Sequence, residues 1–203
     1  MSTTTATPTT KERILDAAEE IMLQKSFHSV GLNEILSAVK VPKGSFYHYF
    51  QSKEHFGVEL LKHYVADASN YKRKALLTSE LSEDPAERLA AYFDLTIANM
   101  MGNSCQCSCL VAKLATEVAT FSDDMRAVLA GGMREWRGFM EKLLIEGQEK
   151  GVFRKELNPQ TTAIMMQDLW MGANQRMQVE KSVSSLRSAA LFIRGYLTPG
   201  PAK

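Results

Sequence analysis

A chain of 203 residues, 45% of them hydrophobic, can bury roughly 70% of the surface its unfolded form exposes, which excludes disorder as its overall state. Its 24 Lys/Arg against 23 Asp/Glu leave a formal charge of +1, so any affinity for nucleic acid has to come from where the charges lie and not from their sum. Three cysteines packed between positions 105 and 109 are an odd count and exclude a disulfide framework; free thiols are expected.

Residues 1–9 are Thr-rich, without a basic or an apolar block, and read as a tail and not as a signal peptide. With no stretch near 18 uninterrupted apolar residues, no spanning helix is expected and the cytoplasm follows by default. Thr9 followed by Glu12 has the form of a capping box, and Ile14, Ala17, Ala18, Ile21 and Met22 then recur on one face, predicting a helix over about 10–25. A second, short helix carries Leu32, Ile35, Leu36 and Val39 behind Gly31, with Glu34 in its first turn. Residues 39–42 form a tight turn because Pro42 turns Val41 away from helical geometry, and a third helix follows over about 43–50. A longer helix is expected from about Ser52, turning Phe56, Leu60, Leu61 and Tyr64 inward. The Ser/Glu/Asp/Pro stretch at 79–85 is the next boundary, after which Leu89, Tyr92, Phe93, Thr96, Ile97 and Met100 repeat at helical spacing. Further helices are expected at 108–118, 123–150, 159–178 and 183–197. The chain therefore reads as all-α, with no strand-like alternation and no internal repeat.

A helix, a two-turn helix, a tight turn and a third short helix make a helix-turn-helix, whose last helix is small enough to enter a major groove. Lys40, Lys43 and Lys53 fall in a 14-residue stretch that holds no Asp or Glu. An aromatic cluster such as Phe46, Tyr47, Tyr49 and Phe50 would by itself be a small core; the accompanying lysines and Gly44 turn the reading toward DNA. Gly44 lets the start of the third helix approach DNA closely, and Ser45 offers a hydroxyl to phosphate or base. Tyr47 offers its phenol to phosphate, His48 and Tyr49 flank it, and Lys43 is placed to reach a base. Lys53, at the start of the fourth helix, is expected on phosphate. Phe46 and Phe50, four apart, are expected in the core.

The run V-P-K-G-S-F-Y-H-Y-F-Q-S-K-E-H-F at 41–56 resembles the signature of the tetracycline-repressor (TetR) family. That resemblance implies a repressor with an N-terminal helix-turn-helix domain, residues 10–52, and a C-terminal helical domain, residues 53–198, that dimerises and encloses an effector site. Residues 199–203 would be a second tail. Double-stranded operator DNA, a small-molecule effector and a second copy of the chain are the implied partners, with no membrane partner, cofactor or metal. Pro42 and Val30-Gly31 stand where the family often has hydroxyl side chains, so two usual phosphate contacts are missing.

Within the second domain, S-C-L-V-A-K-L-A-T-E-V at 108–118, F-S-D-D-M-R-A-V-L at 121–129 and L-W-M-G-A-N at 169–174 resemble the branch of N-ethylmaleimide-responsive and acrylate-responsive repressors. The resemblance implies small electrophiles as effectors, with Cys109 as the matching position. Cys109 near a helix N-terminus, with Lys113 one turn later, would favour the thiolate, and Cys105 and Cys107 would supply resolving thiols. The same cysteines can instead be inert small hydrophobes, or three of the four thiolates of a soft-metal site. Phe93, Met100, Met133, Trp136, Met140, Met165, Met166 and Trp170 are candidates for an adaptable apolar pocket, most of them ordinary core. The last two helices, through Gly172, Ala173, Leu191, Phe192 and Tyr196, are the expected dimer seam. The signal is expected to reach the recognition helices along the helix at 52–76. No catalysis is expected: all four histidines, His28, His48, His55 and His63, lie in the first third, leaving a thiol enzyme in the second domain without a base.

Overall fold

The structure, a computed structural model, describes residues 8–199 apart from 79, 81, 103, 104, 106–108 and 119. The described residues form nine helices and no strand: α1 (Thr10–Gln24), α2 (Leu32–Val39), α3 (Lys43–Tyr49), α4 (Lys53–Leu77), α5 (Pro85–Gly102), α6 (Leu110–Val118), α7 (Asp123–Glu149), α8 (Pro159–Glu180) and α9 (Ser184–Leu197). The all-α expectation holds, and most helix ends fall within two residues of those read from the sequence.

The local chemistry explains the boundaries. α1 starts on the expected capping box: the Thr9 hydroxyl accepts Glu12 N–H at 3.2 Å, and the Glu12 carboxylate accepts Thr9 N–H at 2.7 Å. α2 ends at Lys40, whose φ of 53° places a non-glycine residue in the left-handed region while its N–H caps the Leu36 and Ser37 carbonyls. Pro42 is the N-cap of α3 and not its first helical residue; it gives no side-chain cap, only its carbonyl, which accepts Ser45 N–H at 2.9 Å. α8 opens with Asn158 as cap, its side chain accepting Thr161 N–H at 2.9 Å, and Pro159 as first residue.

The helices gather into two compact units. The first comprises residues 1–65 with 109–129, so α1, α2, α3 and the first half of α4 share it with α6 and the start of α7. The unit that holds the helix-turn-helix thus extends past residue 52 and takes in a distant segment. Its core contains Ile14, Ala18 and Met22 from α1, Ile35 and Leu36 from α2, and Phe46, Phe50 and Phe56, whose three rings lie 4.9 to 5.3 Å apart. Gly57 is required there, because a Cβ would meet the Phe27 ring at 2.7 Å and the Met125 methyl at 2.8 Å.

The second unit, residues 66–108 with 130–203, packs Leu89, Phe93, Trp136, Met140, Trp170 and Ile193 into one cluster from α5, α7, α8 and α9. Arg88 is 1% exposed inside it, donating to the Leu76 and Ser82 carbonyls and pairing with Glu146. Burial opposes charge on Glu146, but Arg88 and Lys150 outweigh it and hold the carboxyl below its ordinary range.

Candidate DNA-binding and effector-sensing sites

α3 is amphipathic in the sense the recognition reading needs. Phe46 points into the core, whereas Lys43, Gly44, Tyr47 and His48 are exposed and Ser45 and Tyr49 half-buried. Tyr47 stands edge-on to Phe46 at 5.5 Å, so its ring is braced on one side while the residue stays 57% exposed. Gly44 has open space around it: a Cβ would meet nothing within 4 Å. Lys53 is exposed but its ammonium is engaged, donating to the carbonyls of Val30 at 3.0 Å and His28 at 3.3 Å and lying 5.3 Å from the Phe27 ring centre. A cleft of about 210 Å³ beside α3 is lined by Met22, Val30, Leu32, Ile35, Phe46, Tyr47, Lys53 and Phe56.

Ion pairs hold α1 on α4. Glu59 receives Lys11 at 2.7 Å and Lys62 at 2.9 Å, and the two ammoniums pull its carboxyl down to about 2. His63 Nε2 lies 2.7 Å from Asp16.

Cys109 directly precedes α6, half-buried, and its carbonyl accepts Lys113 N–H at 3.0 Å, so it stands at the helix's first turn as expected. Against its thiol lies the hydroxyl of Tyr64 on α4, which also accepts Leu110 N–H. Burial, and then the adjacent Cys109, keep that phenol well above its ordinary range, so it remains an O–H donor. The Lys113 ammonium donates to the Leu23 carbonyl at 2.6 Å. Glu117, one turn further, accepts both the N–H of His28 at 2.9 Å and its Nδ1 at 2.9 Å. Burial works against its charge, yet the His28 and Phe27 amides and the His28 ring hold the carboxyl below its usual range. Sequence reading placed Tyr64 in the core without seeing its polar end, and missed His28 and Glu117. Their partners lie 45 and 89 residues away, a separation that leaves no local pattern.

Cys105 belongs to the second unit. It is half-buried against that unit's core, has a φ of 56° and closes α5 through its N–H on the Met100 carbonyl at 2.9 Å. Cys107 lies outside the described residues. Among the described residues no group of three His, Cys, Asp or Glu is placed to hold a metal ion.

Of the pocket candidates, Phe93, Met100, Trp136, Met140, Met166 and Trp170 are buried in the second unit's core, with Phe93 stacked on Trp170 at 4.5 Å; Met133 is half-buried and Met165 exposed. Two buried polar atoms there, Trp136 Nε1 and Asn174 Oδ1, have no hydrogen-bond partner among the described residues. At the expected seam Ala173 faces the core of its own chain, while Gly172, Leu191 and Phe192 are exposed. Among the described residues no helix is long and apolar enough to cross a membrane.

Residues 14–60 match the bacterial regulatory proteins of the tetR family, and residues 85–193 match the tetracyclin repressor-like C-terminal domain. The chain is 33% identical to the HTH-type transcriptional repressor NemR of Escherichia coli K12, over 93% of its length and 94% of the relative's. It is 32% identical to the transcriptional regulator AcuR of Cereibacter sphaeroides, over 92% and 85%. The crystal structure of reduced E. coli NemR superposes with a TM-score of 0.86 at 31% identity, over 96% of this chain and all of that one. The chain belongs to the tetR family of bacterial regulatory proteins, as a TetR-type transcriptional repressor of the NemR-like branch.

Proposed function

We propose that this repressor binds a palindromic operator as a homodimer, one α3 helix in each of two successive major grooves, and leaves it when a small electrophile or oxidant modifies Cys109. The observation that carries the reading is the placement of Cys109: half-buried at the head of α6, with the Tyr64 hydroxyl against its sulfur. The thiolate, and not the thiol, is the nucleophile of a cysteine. The thiolate adds to the β-carbon of an activated alkene such as N-ethylmaleimide: the S–C bond forms, the π pair moves toward the carbonyl, and the α-carbon takes a proton from water. No group leaves, so each thiol reacts once, as suits a regulator and not an enzyme. Lys43, Gly44, Ser45, Tyr47, His48 and Tyr49 are the proposed DNA contacts, with Lys53 joining them where it exchanges a carbonyl for a phosphate.

In a gel shift on a duplex selected by the reduced protein from random sequences, N-ethylmaleimide releases the wild type, and Cys109→Ser stays bound. Retention by wild type whose intact mass shows complete Cys109 modification overturns the thiol switch and leaves DNA binding untouched. A second reading, a noncovalent apolar effector in the second unit, draws on the unpartnered Trp136 Nε1 and Asn174 Oδ1, which a polar atom of a ligand would satisfy. Induction that survives replacement of Cys105, Cys107 and Cys109 by Ser favours that reading.

A further inference from the structure

Cys109, Lys113 and Glu117 are four residues apart and so share one face of α6. Each is tied to a different part of the unit that α6 shares with the recognition helix. The Cys109 thiol meets Tyr64 of α4. Lys113 donates to Leu23, in the last turn of α1, where helix carbonyls lack an intrahelical donor. Glu117 takes the His28 N–H and ring nitrogen in the turn between α1 and α2. Beside these three, Leu110, Leu114 and Val118 are buried, so α6 is held along its length.

From this arrangement, and resting on Cys109 as the modified group, we propose that Lys113 and Glu117 are coupling residues. They make α6 a rod that carries the displacement begun at Cys109 directly to the end of α1 and the α1–α2 turn, beside the route along α4. An adduct on a half-buried sulfur needs space and removes the Tyr64 contact, so the head of α6 has to move. Both downstream anchors are charge-assisted hydrogen bonds, the kind that resist breaking and therefore transmit. Coupling of this kind is a difference in operator affinity between two states, and the anchors contribute only to that difference.

The test compares operator affinity before and after N-ethylmaleimide treatment for wild type, Glu117→Ala, Glu117→Gln and Lys113→Met, with intact mass verifying the same Cys109 adduct in each. Wild type loses affinity at least about tenfold, within the usual range of allosteric coupling. The expected loss falls below about threefold in Glu117→Ala and Lys113→Met, while Glu117→Gln, whose amide oxygen still accepts, keeps most of it. A merely structural role would lower melting temperature and leave the ratio of the two affinities unchanged. Equal release of wild type and both truncations overturns the inference and spares the thiol switch; no release of modified wild type overturns both. Hydrogen exchange at the His28 amide of wild type needs no substitution: modification has to accelerate it, and unchanged exchange overturns the inference.

Discussion

Gly44 is the residue at which fold and function separate most cleanly. Nothing in the chain asks for glycine there: it is helical, it has no positive φ, and an added Cβ would touch nothing. A glycine inside an exposed helix costs up to about 1 kcal/mol against alanine. On the proposed function, the reason for it is the closeness of approach to DNA. Gly44→Ala is expected to leave the melting temperature equal or higher while lowering operator affinity about tenfold; thermal melts and fluorescence anisotropy on one sample check both. Unchanged affinity would place Gly44 away from the DNA. The outward and inward sides of α3 were legible from the spacing of Phe46 and Phe50. The engagement of Lys53 was not, because its partners are backbone carbonyls of residues 28 and 30, which carry no sequence signal.

At the scale of the element, α7 contains two glycines that ought to answer oppositely to the same change. A Cβ on Gly147 would fall 2.0 Å from the Phe153 ring, and Phe153 is buried, so overpacking outweighs helix propensity. Gly138 has nothing within 4 Å, so only propensity acts. Gly147→Ala is expected to destabilise by about 1–3 kcal/mol and Gly138→Ala to stabilise by up to about 1 kcal/mol. Urea denaturation of the two variants measures the signs, and like signs would contradict the packing described. Helix ends followed the same division between local and distant causes. The starts of α1 and α8 were readable because caps and prolines act within four residues. α8 runs two residues past its expected end because it stops at Lys181, a non-glycine residue in left-handed geometry.

For the whole molecule, the faces that α8 and α9 leave uncovered matter most. Leu191 is 75% exposed and Phe192 61%, with Phe192 stacked parallel to Tyr196, and Ile164, Met165 and Val179 are exposed on α8. Apolar area of this kind is what an isologous dimer seam supplies. Leu191→Glu combined with Phe192→Glu is expected to give a monomer in analytical ultracentrifugation, with helix content intact and operator affinity reduced by at least about tenfold. A dimer that persists would move the seam elsewhere. The sequence alone determined the helical class, the helix-turn-helix, the core aromatics and the place of Cys109, because capping, periodicity and turn chemistry act over one or two helical turns. Only the tertiary structure decided that Ala173 packs inward while Leu191 and Phe192 remain outside. The same holds for α6, whose polar face lies against α1, α4 and the turn at His28. Those outcomes depend on which distant helix arrives beside each residue, and contacts that span 45 to 90 residues are set by the packing of the whole core.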